Sequence, residues 1–388
     1  MFVLSIAVEL VTTLITLAGL AYLLIALLAA RSFRRAPQPA RVGIAPTVSI
    51  LKPVKGADPQ RYAAFVSNCS QIYSGRFELL LGLSEPDDAA LLADVERLQS
   101  QFPQLAIRAV PCPLRLGTNG KVSTLVQMLP HALGDVLVLN DADIAVQPDY
   151  LERITAALSQ PGVGLVTAPY YAATGHAPNV WTRLEALGIS TEFMPGVLTS
   201  RMMERGVHFA LGSTLALRRD TLSAIGGMQQ LLDQLADDYE LGLRVDRSGL
   251  RITLSPTIVQ TSVPAYTLHQ FWQHQLRWSR TVRDARLFAY IGLCTTYALP
   301  WALLNVIASG FALPSFTLLS LVVLARVALA LSVGVGVLRD GQVLRDLFLL
   351  PVRDCFSMLL WAWSFAGNDI VWRGETYRLH RGRLIAKA

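Results

Sequence analysis

The sequence predicts an α/β fold: a mostly parallel β-sheet with flanking helices, with membrane helices before and after it. Short apolar runs alternate with helical stretches between about residues 46 and 285. Strand–helix alternation of this kind is typical of a mainly parallel sheet covered on both faces. Long apolar runs lie at both ends, and a hydrophobic share of 52% is too high for a simple soluble protein.

The N-terminal apolar run, residues 3–30, predicts a transmembrane anchor, because about 20 apolar residues span a bilayer as a helix. Arg31, Arg34 and Arg35 follow it directly. A signal peptide is the alternative, but its positive charge would precede a shorter apolar core. The positive-inside rule therefore predicts an uncleaved anchor whose C-terminal end faces the cytoplasm.

The central region predicts its elements in order. Apolar runs predict strands at TVSIL, FELLLGL, LAIRAV, DVLVLN and VGLVTAPY, and helical patterns cover residues 88–102, 121–133 and 148–158. Ligands of such sheets bind beyond the C-terminal ends of the strands. The loops that carry Lys55, Glu85 and Asp141 all fall at those ends.

Apolar character returns after residue 286, and residues 287–313 and 315–338 predict two further spans. A third segment, residues 347–366, is interrupted by an arginine and an aspartate, so it crosses the membrane, re-enters it or lies at its interface. We expect one helical hairpin plus an interfacial or re-entrant segment, which leaves the arginine-rich tail in the cytoplasm.

These patterns divide the chain into five expected regions and predict an integral, multi-pass membrane protein whose central domain is cytoplasmic. The regions are an anchor (1–35), the α/β domain (46–264), an amphipathic interfacial helix (265–286), C-terminal membrane segments (287–371) and a basic tail (372–388).

The charge balance indicates the kind of partner. The formal net charge is +6, although charged residues make up only 16% of the chain. A basic balance on an apolar chain favours anionic lipid or phosphate, and the aromatic-and-basic pattern of nucleic-acid binding is absent from the sequence. The four cysteines are scattered without a CxxC pair, which argues against a disulfide framework and a cysteine zinc site.

The stretch NDAD, residues 140–143, places Asp141 and Asp143 directly after an apolar strand. Two carboxylates at a strand end repel each other and need a positive partner. Mg²⁺ and Mn²⁺ prefer oxygen ligands, and Mg²⁺ is usually held by one or two carboxylates plus substrate phosphates. A solvated turn is the default alternative for this motif taken alone.

Other charged residues strengthen the metal interpretation. Asp237 and Asp238 open a helix, and Lys55 and Lys121 lie in the glycine-flanked loops PVKGAD and GTNGKVS. Backbone amides and a lysine in such loops can meet a phosphate, although an ordinary glycine turn is the alternative for each loop. Together these parts suit transfer from a diphosphate-activated donor, with one carboxylate as base and inversion by a single displacement.

The helical stretch before the first C-terminal span mixes aromatic and basic residues. It includes His274, Arg277 and Trp278, which offer a cation and a flat ring to a substrate. An anchor at the membrane surface is an equally good interpretation of this composition.

Seven motifs occur in the order seen in ceramide glucosyltransferases: SILKPVKGADP, GTNGKVSTL, NDADI, GLVTAPY, LADDYELG, HQLRW and WRGETYRL. The chain resembles these membrane-bound family 21 glycosyltransferases, which have a GT-A fold. Bacterial hopanoid glycosyltransferases resemble the motifs nearly as well. The resemblance covers nearly all of the chain after residue 46.

The resemblance implies roles for single residues. Asp238 matches the general base, and Asp237 takes the place of its acidic neighbour. Asp141 matches the metal-site aspartate, and Asp143 completes the D-x-D. Glu85 stands where the family has its first nucleotide-binding aspartate, which is a departure from the pattern.

The last motif departs as well, because His274 stands where the family has glutamine or arginine, ahead of Arg277 and Trp278. The implied role of these three residues is to bind the donor or acceptor. Lys55 and Lys121 remain candidates for the nucleotide sugar.

The implied reaction moves glucose from UDP-glucose to the primary hydroxyl of ceramide or a similar sphingolipid, with Mg²⁺ or Mn²⁺. The alternative enzyme moves N-acetylglucosamine from its UDP-sugar to a hopanoid polyol. A non-catalytic scaffold would have lost Asp238 or the D-x-D, and neither is lost. A transporter would need more spans with polar residues paired inside them.

Overall fold

The computed structural model describes residues 2–56, 60–372 and 374–386. These residues form two compact units. We call Pro37–Ala173 with Glu204–Ser262 the sheet unit, and Met1–Ala36 with Thr174–Met203 and Val263–Ala388 the helical unit. The segment Thr174–Met203 therefore groups with the terminal segments, although the sequence suggested one continuous domain over 46–264.

The helices and strands are numbered along the chain. The helices are α1 Phe2–Arg35, α2 Arg61–Cys69, α3 Ala89–Gln101, α4 Gly120–Met128, α5 Tyr150–Leu158, α6 Val180–Gly188, α7 Met194–Met203, α8 Arg219–Ala224, α9 Asp237–Arg247, α10 Leu268–Ala285, α11 Leu287–Gly292, α12 Ala298–Ala308, α13 Leu313–Ala330, α14 Gln342–Asp346 and α15 Leu350–Ser364. The strands are β1 Val48–Val54, β2 Phe77–Leu83, β3 Ala106–Pro111, β4 Val136–Leu139, β5 Val163–Thr167, β6 Tyr170–Ala173, β7 Leu215–Arg218, β8 Arg251–Leu254, β9 Val259–Ser262, β10 Asp369–Trp372, β11 Glu375–His380 and β12 Arg383–Ala386.

The sheet unit is built on one large mixed sheet. Its order over the described residues is β3-β2-β1-β4-β7-β5-β8. The pairs β1–β2, β1–β4, β2–β3 and β5–β8 are parallel, and only β7 runs antiparallel to its neighbours β4 and β5. The predicted α/β fold with a mostly parallel sheet and flanking helices is confirmed.

The central strands are mostly apolar because both faces of the sheet are covered. Every residue of β4 and β5 is buried, as is nearly all of β1 and β2. Such strands show no alternation of polar and apolar residues, which is typical of parallel sheets between helix layers. The parallel pairing of β1 with β2 and β4 makes the loops after these three strands leave from one edge of the sheet.

Polar side chains set the starts of the helices that follow the strands. Asp88 accepts a hydrogen bond from the Leu91 amide at the start of α3, at 3.0 Å. Asn119 does the same for the Val122 amide at the start of α4, at 3.2 Å. These caps satisfy amides that the helix leaves unpaired, and they fix where each loop ends.

The helical unit contains two helices that are long and apolar enough to cross a membrane: Ile6–Arg35, and Leu313–Val335, which joins α13 to a π-helical turn. A third candidate among the described residues is a bent pair, Leu287–Thr296 with Ala298–Ala308. Its halves meet at 55°, so the apolar stretch 287–313 is a broken span or a re-entrant loop rather than the straight span that its composition suggested.

The end of the chain adds local structure that the sequence did not predict. Helix α15 has 15 residues, which span about 22 Å and fall short of a bilayer core of about 30 Å. Strands β10, β11 and β12 then form an antiparallel sheet where a basic tail was expected. Arg373 and residues 387–388 of that tail lie outside the described residues.

Candidate active site

The backbone of the D-x-D turn after β4 is held by Lys52 of β1. The Lys52 side chain is fully buried, and its Nζ donates to the carbonyl oxygens of Asp141 at 3.0 Å and Ile144 at 2.9 Å. Burial lowers the pKa of Lys52 to about 8, and the nearby Asp143 and Asp141 carboxylates act in the opposite direction. At pH 7 the ammonium stays charged, and it fixes the turn through two carbonyl groups.

Sequence reasoning missed Lys52 and favoured Lys55. The available signal was a lysine inside the otherwise apolar strand VSILKPV, where only a paired charge is tolerated.

Asp141 has a positive partner from the chain itself. The Nζ of Lys121, in the first turn of α4, lies 2.8 Å from Oδ1 of Asp141. The same Nζ lies 3.3 Å from Oδ2 of Asp237, an ion pair without a hydrogen bond. Burial lowers the pKa of Lys121, but Asp141 and Asp237 raise it more, so the net shift is upward. Lys121 therefore remains protonated and offsets two carboxylates.

Asp238 lies in the first turn of α9 and faces a glycine. Its Oδ2 accepts from the Gly212 amide at 2.7 Å, and its Oδ1 accepts from the Tyr239 amide at 2.8 Å. Burial, followed by the charge of Asp237, raises the pKa of Asp238 to about 6, while Lys121 lowers it. A carboxylate with that pKa can take up a proton near neutral pH.

Gly212 marks the point where these groups converge. A side chain here would place its Cβ 3.2 Å from Oδ2 of Asp238. The same Cβ would lie 3.5 Å from Oδ2 of Asp141 and 3.5 Å from Nζ of Lys121. Because glycine has no side chain, the space between the two carboxylates and the ammonium stays open.

Asp143 is tied to the end of β9. Its Oδ2 accepts from the Thr261 hydroxyl, from the Ser262 amide at 2.9 Å and from the Ser262 hydroxyl at 3.4 Å. Burial raises the pKa of Asp143 and Asp141 raises it further, while the hydrogen bonds lower it. The second aspartate of the motif thus also anchors the turn, whereas the Asp141 side chain is 42% exposed.

The chemistry of this oxygen cluster fits a divalent cation that arrives with a diphosphate. Over the described ranges, no group of three or more histidine, cysteine, aspartate or glutamate side chains forms a complete protein cage for a metal. Mg²⁺ needs only one or two protein carboxylates when substrate phosphates and water complete its shell. Asp141, with one oxygen directed towards the space at Gly212, is the best-placed ligand, and Asp143 is the second candidate.

Lys55 and Glu85 are exposed on the loops after β1 and β2. Gly56 follows Lys55 with a φ of +74°, in the left-handed region, so the glycine is required by the turn. The last three residues of the motif SILKPVKGADP lie outside the described residues. Both loops leave the sheet at the edge that carries Asp141, as the sequence predicted.

The remaining predicted residues lie on α10 in the helical unit. The His274 ring stacks on Tyr266, with 5.3 Å between centroids, and contacts Trp278 at 5.4 Å. Its Nδ1 lies 3.3 Å from Oε1 of the buried Glu185. Burial raises the pKa of Glu185, but His274, Arg353 and Gln275 together lower it below its ordinary value, so the carboxylate stays ionised.

Glu185 was missed, and its signal was a single acid in the apolar stretch of α6. Arg277 and Trp278 are half-buried, and the Trp278 ring also contacts Phe193 at 5.8 Å.

The family model described as Glycosyl transferase family 21 matches residues 11–385. The chain belongs to this family. The motif resemblance to family 21 is thereby confirmed.

Relatives of this family 21 chain carry names that state different activities. Beta-monoglucosyldiacylglycerol synthase of Synechocystis sp. is 24% identical over 208 residues, covering 52% of this chain and 41% of that protein. Ceramide glucosyltransferase 3 of Caenorhabditis elegans is 23% identical over 234 residues, covering 60% and 50%. An N-acetylglucosaminyltransferase of Bradyrhizobium diazoefficiens is 22% identical over 263 residues, covering 63% and 50%. The chain spans about half the length of the curated relatives it matches.

A solved structure agrees with the fold of this family 21 member. The mannosyltransferase of Pyrobaculum calidifontis, in complex with GDP-Man and Mn²⁺, matches with a TM-score of 0.57 and 18% identity. The match covers 92% of this chain and 99% of that one. At this identity the likeness shows the fold, which is of the GT-A type.

Proposed function

We propose that this family 21 chain is an inverting transferase that moves a hexose from a UDP-sugar to a hydroxyl group of a membrane lipid. The observation that carries the proposal is the convergence of Asp141, Lys121 and Asp238 on the open space at Gly212. Such a space between a metal-competent carboxylate, a cation and a weakly acidic carboxylate suits a diphosphate-activated sugar and a hydroxyl acceptor.

Asp238 is the proposed general base. With a pKa of about 6, it is largely ionised at pH 7 and basic enough to accept the proton of an acceptor hydroxyl as the hydroxyl attacks the sugar. Its hydrogen bonds to two backbone amides hold the carboxylate in one orientation. The sugar–diphosphate bond breaks as the new glycosidic bond forms, so one displacement inverts the anomeric centre.

The leaving diphosphate needs positive charge. Lys121 supplies one charge beside Asp141 and Asp237. A bound Mg²⁺ or Mn²⁺ would be held by Asp141 and Asp143 and would neutralise the diphosphate. Lys55, Glu85 and Asp237 are proposed to contribute to binding of the nucleotide sugar, from the same edge of the sheet.

His274, Arg277 and Trp278 are proposed to bind the donor or the acceptor. The support is local: Glu185 beside His274 provides a charge partner, and the Tyr266 and Trp278 rings fix the imidazole plane. Arg34 and Arg35 in the last turn of α1 support a cytoplasmic position for the chain that follows this helix, and hence a multi-pass protein with a cytoplasmic catalytic domain.

The finer proposal is glucose transfer from UDP-glucose to the primary hydroxyl of ceramide or a similar sphingolipid. Support comes from the ordered motifs and from the ceramide glucosyltransferase of C. elegans among the relatives. The alternative is N-acetylglucosamine transfer to a hopanoid polyol, and the N-acetylglucosaminyltransferase of B. diazoefficiens supports the sugar of this alternative.

The test incubates purified protein in lipid vesicles with labelled UDP-glucose or UDP-N-acetylglucosamine. Each donor is paired with ceramide, diacylglycerol or a hopanoid polyol, with and without chelator. We expect labelled glucosylceramide with inverted anomeric configuration, which is lost with chelator. Label in no lipid under any pairing, or retention of configuration, would overturn the proposal.

A further inference from the structure

The helical unit holds a cavity of about 40 Å³ among its most apolar helices, with both polar and apolar lining residues. Its lining includes Tyr22 of α1, Arg326 of α13, Asp354 of α15 and Glu192 from the π-helical turn that follows α6. Tyr22 and Arg326 belong to the two candidate membrane spans. Ionisable residues inside such helices mark functional sites more often than structural ones, because their burial is expensive.

An ion pair alone does not account for Arg326. Its Nε and Nη2 donate to the two Asp354 oxygens at 2.9 and 2.7 Å, and Nη2 also donates to the Thr191 hydroxyl at 3.2 Å. Its Nη1 is buried without a hydrogen-bond partner in the part of the chain that the structure describes, although the residue is only 6% exposed. A buried donor at the wall of this cavity needs an acceptor atom from outside the chain, supplied by water or by a ligand.

Glu192 supplies the complementary acceptor. Its Oε2 accepts from the Ser357 hydroxyl at 2.6 Å and from Nε of Arg353 at 3.1 Å. The Glu192 side chain lines the cavity and is 32% exposed, so this carboxylate can be reached by a ligand. A ligand can therefore accept from Arg326 and donate towards Glu192.

The charges around the cavity decide the class of ligand. Arg326 is balanced by Asp354, and Glu192 is balanced by Arg353. A phosphate head would bring an unbalanced negative charge next to two carboxylates in a medium of low dielectric constant, which is unfavourable. A neutral hydroxyl or amide both donates and accepts, and it adds no charge.

We infer that this cavity accepts one hydroxyl or amide group from the uncharged head of a membrane lipid. The apolar lining residues Leu23 and Leu329 then face the first carbons of the lipid chain. The lipid is of the same class as the acceptor in the proposed function. Only this choice of lipid class rests on the proposed function.

The test uses photoreactive ceramide and photoreactive phosphatidylserine in vesicles with the full chain. Leu329→Phe fills the cavity from its apolar side. Leu324→Phe is the matched control, because Leu324 lies on the same helix and is 68% exposed. If Leu329→Phe does not fold, Tyr22→Phe replaces it in the test, because it removes only a hydroxyl group. Each variant is taken as folded when its UDP-sugar affinity equals that of wild type.

We expect ceramide to label peptides of α1, α13 and α15, and phosphatidylserine to label them weakly. Leu329→Phe should lower the ceramide labelling about tenfold, since one hydrogen-bonded head group is excluded, while Leu324→Phe keeps wild-type labelling. Equal labelling in Leu329→Phe and Leu324→Phe, or preference for phosphatidylserine, would overturn the inference.

The two proposals fail separately. If the protein transfers sugar to a lipid but its cavity is not labelled, the cavity inference is wrong and the proposed function holds. If ceramide labels the cavity but no lipid receives sugar, the proposed function is wrong and the cavity inference holds.

Discussion

Asp238→Asn tests whether the Asp238 carboxylate serves catalysis or the stability of the fold. The amide cannot take up the acceptor proton, so we expect kcat to fall by about 10² to 10⁴, the usual contribution of a positioned base. The amide oxygen can still accept from the Gly212 amide, so the local backbone should be retained. The affinity for the UDP-sugar should remain measurable, because the substitution removes charge beside the diphosphate rather than a ligand to it.

The same substitution should stabilise the folded protein at neutral pH. Burial raises the pKa of Asp238 from 3.8 to about 6, so the folded state disfavours the ionised form. At 1.36 kcal/mol per pKa unit, ionisation at pH 7.5 costs about 3 kcal/mol, which Asp238→Asn removes. Asparagine has one oxygen, so one of the two backbone amides loses its acceptor and the net gain should be smaller than this cost.

The pH dependence has a definite sign. A raised pKa means that this carboxyl adds stability below pH 3.8 and that the advantage is lost as pH rises through about 6. The ionisation cost that Asp238→Asn removes should therefore shrink to roughly half at pH 5, and the net gain should shrink with it. The kcat of the wild type should fall about tenfold from pH 7.5 to pH 5, because the base becomes protonated.

The assays are transfer of labelled sugar in vesicles between pH 5 and 8, and denaturation of the detergent-solubilised, nucleotide-free protein at pH 5 and 7.5. Asp220→Asn is the control, because Asp220 is an exposed aspartate in the first turn of α8. Turnover in Asp238→Asn within twofold of wild type refutes the base assignment. A variant that is inactive and also less stable than wild type at pH 7.5 shows that the carboxylate is structural.

Three further substitutions test the rest of the cluster. Asp141→Ala should weaken metal-dependent nucleotide binding, measured by calorimetry with and without chelator; binding indifferent to chelator contradicts the metal role. Lys52→Met removes one hydrogen bond from each of the carbonyls of Asp141 and Ile144, so the D-x-D turn should loosen and UDP-sugar affinity should fall about tenfold by calorimetry; unchanged affinity means that the Lys52 contacts are dispensable. Gly212→Ala puts a methyl group 3.2 Å from Oδ2 of Asp238 and should depress turnover without changing the melting temperature; full turnover would show that the space is not used.

Features carried by local pattern were predictable from the sequence. Strands β1 to β5 follow from short apolar runs between loop residues, and α3 begins where an acid can cap it. Asp141 is identified by its place at the end of β4, because ligands of a parallel sheet bind beyond the C-terminal ends of its strands. The ordered motifs then indicated family 21, and the family match confirms it.

Features that depend on packing between distant segments were not predictable in this way. The apolar stretch 287–313 breaks at Tyr297, three residues before Pro300, although its hydropathy suggested one straight span. Helix α1 approaches there so closely that a Cβ on Gly19 would lie 2.7 Å from Cβ of Ala298. Such a contact depends on two helices separated by most of the chain.

The sequence by itself determined the α/β fold, the apolar ends and the identity of the acidic residues, because each depends on neighbours in the chain. Tertiary structure alone decided which charges meet. Lys52 rather than Lys55 holds the D-x-D turn, and Lys121 pairs with Asp141. Asp141 and Asp238 come together where the loop before the antiparallel strand β7 places the backbone of Gly212 between them. The electrostatic energies that select such charge pairs depend on distance in space and not on separation along the chain.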